Sequence, residues 1–540
     1  MKISYKDTEI NVNKLIGEGA YGKVYMIVDY KNKDNQDKRV YKQVDPYYDS
    51  NVNKIYDSLF LKEISIYSTI NNASNLVKVD EIIICPKYSY YVMEHAGESL
   101  YDTMNKNAQY KTNMNITLVK DIISSISRCM IDVNNKFIIN ADIKPANIMI
   151  DRNKVLLTDW SLSRSNIDSS FMNLYEEIQT AWYRCPEQIL KKNVNNYKID
   201  VWSLGVILVE IIRNKMGLFP YLKEEEVMYT ILDFIGLKRI NEKWLNILKD
   251  KKYFIKRYVD KTPKVDIFFE NLSNIIVDDD EREKVIDLIE NMLKFDPDER
   301  FDFYDIYNHD FLGNEKLERL DILTRLNSLN YLKIDFGNIC KINQWYLPAR
   351  NYVVDNIKQL SKINSNNLKI ISRTIKIMDI VVSRIKLDMK LINEYISIAY
   401  YLANIINGCK ISRNNFISYT RVYIKLIPNE IIGLNKLNSL NEIYKSMTNA
   451  LNLDMNIYTG IYYEYLLIAS GFVEHIDEYY ETFLRVQSHS PLISFSDESL
   501  ARISIYIMKN KYSLNNDMID RFLQNINVFE KDIVKNNIIN

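Results

Sequence analysis

Cysteine and histidine are scarce in this sequence. Its 540 residues include only five cysteines and four histidines, and both kinds are scattered along the chain. No two cysteines have the close spacing that marks a disulfide framework or a zinc site. The histidines are too dispersed for a histidine-based metal site or for a Ser-His-Asp triad carried on neighbouring motifs. We therefore expect a reducing, intracellular compartment, either cytoplasm or nucleus.

The chain also lacks net charge and long hydrophobic runs. Seventy Lys and Arg residues balance 70 Asp and Glu residues, so the overall field does not favour a nucleic acid or an anionic membrane as the main partner. Apolar runs such as residues 206–212 are far shorter than the roughly 20 residues that span a bilayer, and the amino-terminal residues lack a signal pattern. We expect a soluble protein that binds neither nucleic acid nor membrane.

Glycine and proline are few, and they lie mostly before about residue 350. In that part, β-type alternation gives way to helical patterns, whereas almost every later segment reads as an amphipathic helix. At about 150 residues per domain, the length predicts two to four domains. The predicted class is therefore α+β, with a mixed first part and an all-helical last third, and a polar stretch from Gly313 marks the boundary zone.

Residues 16–24 read I-G-E-G-A-Y-G-K-V and contain a GxGxxG pattern in Gly17, Gly19 and Gly22. The pattern alone is weak, because dinucleotide folds and ordinary turns use it too. Here the next residues alternate as a strand and return through a polar turn as a second strand, whereas a dinucleotide fold would continue as a helix. The segment, flanked by Ile16 and Val24, therefore predicts a hairpin lid over phosphates, with a structural turn as the alternative.

Two charged residues follow this hairpin. Lys42 lies on the returning strand, where its ammonium can hold the α- and β-phosphates of a nucleotide. Glu63 lies in a predicted amphipathic helix, where a glutamate is more often a solvated surface residue. A lysine in a nucleotide cleft needs a carboxylate to fix its direction, however, and a glutamate on the following helix can supply it.

The most informative segment is N-A-D-I-K-P-A-N-I-M-I at residues 140–150, followed by L-T-D-W-S at 157–161. Asp142 and Asn147 form a D-x-x-x-x-N pattern, and Asp159 follows a short predicted strand. Phosphoryl transfer to a hydroxyl needs a carboxylate that orients and accepts the proton, and hard oxygen ligands for Mg²⁺. Asp142 fits the first role, and Asn147 and Asp159 fit the second, although isolated Asp and Asn residues more often form turns or caps.

Together these motifs resemble those of a eukaryotic protein kinase over residues 16–312. The resemblance implies a small β-rich lobe at 1–96, a large helical lobe at 97–315, ATP and Mg²⁺ as cofactors, and protein substrates. It places Glu94 and Ala96 at a hinge that binds the nucleotide together with Lys42, Glu63 and the glycine-rich hairpin. It also adds Lys144 to the catalytic residues Asp142 and Asn147, and this lysine is the type found in serine/threonine kinases.

Within the kinases the chain is most similar to the cyclin-dependent group. The similarity rests on GEGAYG at 17–22, on KEIS around Glu63, and on WYR before the Pro-Glu pair in 180–187. In the family, residues 180–187 would end the activation segment, residues 200–205 would begin a buried helix, and Arg300 would pair with Glu187.

Some positions depart from the family pattern. Asn140 and Ala141 replace the usual His-Arg, and Trp160 and Ser161 replace the usual Phe-Gly. None of these changes removes a group that handles phosphate, metal or proton. Ala141 replaces an arginine that normally grips a phosphorylated residue, and Tyr175 stands in place of the activating threonine. Either a loosely constrained loop has drifted, or activation by phosphorylation has been lost.

The helical part at 345–540, after a linker at 316–344, resembles a cyclin box less specifically. Residues 350–355 resemble its R-x-x-L-x-D opening, and residues 450–459 resemble the segment that closes it. Where cyclins carry Lys and Glu after the central helix, this chain has I-I-N-G at 405–408. The alternative is an unrelated helical bundle, because apolar residues every three to four positions are common to all bundles.

The sequence-based interpretation is a serine/threonine kinase of the cyclin-dependent type with a cyclin-like module fused in cis. The sequence leaves open whether a separate cyclin or other regulatory partner also binds. The alternative is a pseudokinase scaffold whose helical third docks partners, which Asn140, Ala141 and Ser161 favour. Frequent Asn, Ile and Lys residues and 40 tyrosines indicate an AT-rich coding sequence, as in many large DNA viruses and some protists. For a viral protein we expect the host cell or the virion as its location.

Overall fold

The structure is a computed structural model of the whole chain. It describes residues 2–5, 8–19, 22–27, 39–44, 58–84, 89–152, 154–165, 181–192, 196–221, 223–250, 262–329, 334–364, 367–406, 463–488 and 495–524, with short pieces at 442–443, 446–448, 450–451, 492 and 526.

The first unit is an antiparallel sheet of six strands in the order β1-β2-β3-β4-β6-β5. The strands are β1 (Lys2–Tyr5), β2 (Thr8–Gly19), β3 (Gly22–Ile27), β4 (Arg39–Val44), β5 (Val79–Ile84) and β6 (Ser89–Glu94). Alternating β-branched and aromatic residues suit a pleated sheet. Three tyrosines on β3, β4 and β6 pack ring to ring, with centroids 4.9 Å apart for Tyr25 and Tyr41 and 5.6 Å apart for Tyr41 and Tyr90. Helix α1 (Ser58–Ile70) lies over the opposite face, which carries Lys42.

A larger, mainly helical unit follows. Its helices are α2 (Leu100–Tyr110), α3 (Ile116–Asn135), α4 (Pro186–Ile189), α5 (Lys198–Ile212), α6 (Glu224–Ile235), α7 (Glu242–Asp250), α8 (Lys264–Asn271), α9 (Asp279–Met292) and α10 (Phe303–Tyr307). Every residue of α5 from Ile199 onward is buried, because most of the helix is apolar and other helices pack about it. It forms the centre of the unit.

Five short strands lie between this unit and the sheet. They are β7 (Glu98–Ser99), β8 (Ile138–Ile139), β9 (Ile148–Asp151), β10 (Lys154–Leu157) and β11 (Arg164–Ser165). The order β10-β9-β7 forms one small sheet, and β11 pairs with β8 in another. These pairings hold the loops after β8 and β10 next to each other, below the six-stranded sheet.

In the last third of the chain, the described residues form helices joined by short turns, with no strand among them. Its helices are α11 (Ile322–Asn327), α12 (Phe336–Ile342), α13 (Tyr346–Asn364), α14 (Leu368–Arg384), α15 (Ile392–Ile406), α16 (Glu464–Ala469), α17 (Ile476–Ser488), α18 (Asp497–Tyr512) and α19 (Asp517–Leu523). A mixed first part followed by helices confirms the predicted α+β class. In the part of the chain described here, no helix is both long and apolar enough to cross a bilayer.

A buried ion pair fixes the core of the helical region. Arg350 on α13 donates from Nε and Nη2 to the two carboxylate oxygens of Asp379 on α14, at 2.9 and 2.7 Å. The Tyr346 hydroxyl donates to the same carboxylate at 2.8 Å, and Arg350 also donates to the Gln487 carbonyl at 2.9 Å. The first residue of the predicted R-x-x-L-x-D opening therefore ties α13 to α14 and to α17.

The helical region contacts both parts of the first 315 residues. Helix α15 packs against α1. Helix α11, inside the predicted linker, lies against α3: Arg325 donates to the Asn134 carbonyl at 2.7 Å, and its guanidinium lies 4.3 Å from the centroid of the Phe137 ring. Beyond it, the Tyr463 hydroxyl lies 3.1 Å from the Asn327 side-chain oxygen. The predicted linker is therefore packed against the large unit at α11.

We predict that Arg350→Met lowers the free energy of unfolding by about 3–5 kcal/mol, because it leaves the Asp379 carboxylate buried without its cation. The double variant Arg350→Met/Asp379→Leu should lose less, since no unpaired charge remains. Denaturant unfolding followed by circular dichroism measures both. The control is Lys509→Met, which breaks a more exposed ion pair with Asp520 and should cost less than about 1 kcal/mol. Equal losses in Arg350→Met and Lys509→Met would contradict the prediction.

Candidate functional site

Three charged residues from distant parts of the chain meet beneath the six-stranded sheet. The Lys42 ammonium on β4 lies 2.9 Å from Glu63 Oε1 on α1 and 3.1 Å from Asp159 Oδ1 after β10. Burial opposes the charge of the ammonium, but attraction to Glu63 and Asp159 outweighs it and raises the pKa of Lys42 above its usual value. The lysine is therefore a fixed cation whose direction is set by two carboxylates.

The segment after β8 brings Asp142, Lys144 and Asn147 together. Lys144 Nζ lies 2.7 Å from Asp142 Oδ2, and Asn147 Nδ2 donates to the Asp142 carbonyl at 2.9 Å and to Asp142 Oδ2 at 3.2 Å. Burial raises the pKa of Asp142 to about 6, although Lys144 acts in the opposite direction. A carboxylate with a pKa close to the working pH is suited to exchange a proton with a substrate hydroxyl.

Asn147 and Asp159 offer oxygen ligands on neighbouring segments. The Thr158 amide donates to the Asn147 carbonyl at 3.0 Å, which ties the strand that precedes Asp159 to Asn147. Attraction to Lys42 overcomes the effect of burial and lowers the pKa of Asp159, so this carboxylate is anionic at neutral pH. Among the described residues, no cluster of three or more His, Cys, Asp and Glu side chains could hold a metal ion. Two protein ligands suit Mg²⁺, which is usually held mainly by phosphates and water.

A buried carboxylate on α5 supports the loop that carries Asp142. The backbone amides of Asn140 and Ala141 both donate to Asp200, each at 2.8 Å. Ala141 has a φ of 64°, a left-handed conformation that costs a non-glycine residue on the order of 1 kcal/mol. Two hydrogen bonds to one buried carboxylate offset that cost. Asn140 contributes as well, since its Oδ1 accepts from the Asp142 amide at 2.9 Å.

The other family departures lie in the same region. Trp160 is fully buried, so its indole fills the core in place of the smaller ring of a phenylalanine. The Ser161 amide donates to Asp159 Oδ1 at 3.4 Å. Asp159 itself has a φ of 63° and directs its carboxylate to Lys42. Neither change displaces the three charged groups.

The predicted pair of Glu187 and Arg300 is present. Arg300 Nη1 and Nη2 lie 2.7 and 3.0 Å from the two carboxylate oxygens of Glu187, and both side chains are fully buried. The Arg300 guanidinium also lies over the Trp202 ring of α5, 5.1 Å from its centroid. The pair fixes α4, which lies at the end of the predicted activation segment, to the centre of the large unit.

The predicted nucleotide-binding residues lie at the cleft between the two units. Strands β3 and β4 pair antiparallel as the predicted hairpin. The glycine-rich segment joins β2 to β3, with Gly17 opposite Val24 and Gly19 opposite Gly22. Ile16 is 42% exposed. Glu94 ends β6 and Ala96 follows in the segment that joins the two units. Four parts of these predictions lie outside the described residues: the turn between β2 and β3 at 20–21, residues 166–180 of the activation segment with Tyr175, residues 407–408, and residues 452–459.

Sequence reasoning missed two residues of the site. The Tyr91 hydroxyl on β6 donates to Glu63 Oε1 at 2.8 Å. Asp200 accepts the two backbone amides of the loop, whereas the sequence predicts it only as part of a buried helix. Period-two alternation places Tyr91 on one face of its strand, but only the register, in which Tyr91 stands opposite Lys42, brings it to the ion pair.

Comparison with known proteins identifies the family. Residues 10–312 match the family described as protein kinase domain. This chain belongs to the protein kinase family. The match spans more than half of the chain and includes every predicted site residue, and members of this family generally use ATP and Mg²⁺. The site fits both groups, because Lys42 offers a fixed cation to phosphates and Asn147 and Asp159 offer oxygen ligands to a hard cation. The predicted kinase fold with a helical region after it is confirmed.

Several individual kinases are similar to this chain. Mitogen-activated protein kinase 10 of Arabidopsis thaliana is 27% identical over 307 residues, which are 55% of this chain and 72% of that protein. The mitogen-activated protein kinase KSS1 of Saccharomyces cerevisiae is 27% identical over 315 residues, covering 55% and 81%. A probable cell division protein kinase of Encephalitozoon cuniculi is 27% identical over 238 residues, covering 44% and 71%.

Proposed function

We propose that this kinase is an active serine/threonine protein kinase of the cyclin-dependent type, activated in cis by its own helical region. It transfers the γ-phosphate of ATP to hydroxyl groups of protein substrates. One observation carries the proposal. Lys42 and Glu63 form an ion pair at 2.9 Å, and α1, the helix that carries Glu63, packs against α15 of the helical region.

Each site residue has a role that its surroundings support. When bound, ATP supplies the phosphoryl group and Mg²⁺ neutralises part of the negative charge on its phosphates. Lys42 holds the α- and β-phosphates as a cation whose direction Glu63 sets, while Asn147 and Asp159 hold the metal. Asp142 orients the substrate hydroxyl and accepts its proton.

Four further groups of residues complete the proposed site. The backbone of Gly17, Gly19 and Gly22 covers the phosphates, with Ile16 and Val24 beside the nucleotide. At the hinge, the backbone of Glu94 and Ala96 binds the base. Lys144, 2.7 Å from Asp142, contacts the transferred phosphate.

Serine/threonine specificity rests on similarity. Lys144 is the residue type found in that class of kinases, and the relatives include mitogen-activated and cell division protein kinases. Glu187 and Arg300 fix the end of the predicted activation segment to the large unit. The cyclin-dependent subtype rests on the motifs around Gly17 and Glu63 and on the fused helical region.

The contact of α1 with α15 supports activation in cis. In cyclin-dependent kinases, the helix that carries the glutamate meets the lysine when a cyclin packs against it. Here the packing helix is covalently attached, so the contact forms at a high effective concentration. Arg350 is the first residue of the segment that resembles the start of a cyclin box, and its bidentate bond to Asp379 gives this residue a structural role. The loss of Lys and Glu at 405–408 is compatible with a weaker interface that covalent attachment maintains.

The pseudokinase alternative draws on Asn140, Ala141 and Ser161. In the structure, however, the loop of Asn140 and Ala141 is held by Asp200, and Ser161 leaves Asp159 in contact with Lys42. A transfer assay separates the two proposals.

We predict that Asp142→Asn abolishes phosphate transfer while the protein stays folded, because the amide cannot accept the hydroxyl proton. Turnover should fall below a tenth of the wild-type value, a loss of more than about 1.4 kcal/mol in transition-state stabilisation. Transfer from labelled ATP to a generic basic protein measures this. The control is Asp151→Asn, at an exposed residue that ends β9, and it should keep normal turnover. An active Asp142→Asn protein would contradict the assignment.

The pKa of Asp142 also predicts a pH profile. Because burial raises this pKa to about 6, the carboxyl gains a proton as the pH falls through 6, and kcat/KM should then fall about tenfold per pH unit. Lys144 acts to lower the pKa of Asp142, so Lys144→Met should move the acid limb to higher pH as well as reduce the rate. A wild-type profile that stays flat down to pH 5 would show that Asp142 is not the base.

We predict that a chain ending after Leu329 is folded but at least about tenfold slower than the full chain. Without its partner α15, helix α1 should occupy the inward state, in which Glu63 meets Lys42, in only a minority of molecules. This end point keeps α11 on α3, so that Arg325 still covers Phe137 and Asn134. Kinase assays of both proteins measure the effect, and near-UV circular dichroism checks that the shorter chain is folded. Equal activity would assign the helical region to substrate docking or localisation instead.

A further inference from the structure

The ion pair of Lys42 and Glu63 has a third member. Tyr91 stands directly opposite Lys42 in the register of β4 and β6, so both side chains point to the face of the sheet that α1 covers. The Tyr91 hydroxyl lies 2.8 Å from Glu63 Oε1, the same oxygen that Lys42 contacts at 2.9 Å. The Lys42 ammonium lies 5.8 Å from the centroid of the Tyr91 ring. One carboxylate oxygen therefore receives a charged and a neutral donor.

The surroundings strengthen this hydrogen bond. Tyr91 and Glu63 are both buried, and the ring of Tyr67, one turn after Glu63 on α1, packs 5.6 Å from the Tyr91 ring. A hydrogen bond to a charged acceptor contributes more to stability than a neutral one, and water cannot compete for it here. Burial and the Glu63 charge hold the pKa of Tyr91 well above its usual value, so the hydroxyl remains a donor at any working pH.

The two donors differ in what else they must do. Lys42 also contacts Asp159 at 3.1 Å, and in the proposed function it holds phosphates as well, so its attraction is divided. In that function the Tyr91 hydroxyl has no phosphate to hold, and it donates to Glu63. Its direction is set by β6, a central strand bonded to both β4 and β5.

We propose that Tyr91 is a positioning residue that holds Glu63, and with it α1, in the inward position while Lys42 engages the nucleotide. The proposal rests on the kinase function proposed above. It means that the inward state of α1 has a second anchor, which belongs to the sheet and is separate from the contact with α15.

Tyr91→Phe in the full chain tests the proposal, because it removes the hydroxyl and keeps the ring. We expect the KM for ATP to rise and kcat/KM for ATP to fall by about tenfold, with the KM for the protein substrate unchanged. The matched control is Tyr90→Phe, the adjacent buried tyrosine, whose ring packs on Tyr41 at the other face of the sheet; it should keep wild-type values. If Tyr91→Phe lowers kcat and leaves both KM values unchanged, the variant only has a smaller folded fraction. That result would overturn the proposal.

A double-mutant cycle with Glu63→Gln tests whether Tyr91 acts through Glu63. If it does, adding Tyr91→Phe to Glu63→Gln should change kcat/KM by less than about twofold, because the charged acceptor is already gone. Independent effects that multiply would overturn the proposal.

Direct titration of ATP with Mg²⁺ into the same proteins separates this proposal from the proposed function. A wild-type chain that binds ATP but transfers no phosphate would refute the kinase function, yet Tyr91→Phe should still weaken ATP binding. Equal ATP affinity in wild type and Tyr91→Phe would refute the role of Tyr91 alone.

Discussion

The buried ion pair of Lys42 and Glu63 is the interaction on which the rest of the site depends. Removing two charges from water is costly, and their attraction compensates only when the geometry is good and the remaining bonding positions are filled. Lys42 belongs to the sheet, Glu63 to α1, and Asp159 to the loop after β10, so the three charges meet only when all three elements are in place. Tyr91 contacts Glu63 from the sheet, and α15 packs against the helix that carries Glu63.

Asp200 has a comparable function for the lower half of the cleft. Its carboxylate accepts hydrogen bonds from two backbone amides and so fixes the path of the loop that carries Asp142 through main-chain atoms of residues 140 and 141. This explains how Asn140 and Ala141 can replace the usual residues while Asp142, Lys144 and Asn147 remain grouped. Burial raises the pKa of Asp200 to about 7, which reflects the cost of placing this carboxylate at the centre of the large unit.

The sequence was sufficient for the parts of the site that are local or carry a strong motif. Asp142 and Asn147 are five residues apart, and a single turn brings them together, while the alternation after Gly22 predicted the hairpin that leads to Lys42. Tyr91 and Asp200 could not be found in this way, because their roles depend on strand register and on a helix that is distant in sequence. For the same reason the predicted linker at 316–344 gave no sign that Arg325 would lie on Phe137.

The packing of α1 against α15 has a consequence for how such a contact responds to protein concentration. Between two separate chains, dilution would favour dissociation, and the occupied fraction would follow the supply of the partner. In one chain the equilibrium is unimolecular, so the contact has the same population at any concentration, and the two partners are always made in equal numbers. Regulation that separates α1 from α15 must therefore act on this chain itself, by a ligand that binds it, a modification or a cut. Changing the abundance of one partner alone is impossible, because both are parts of one chain.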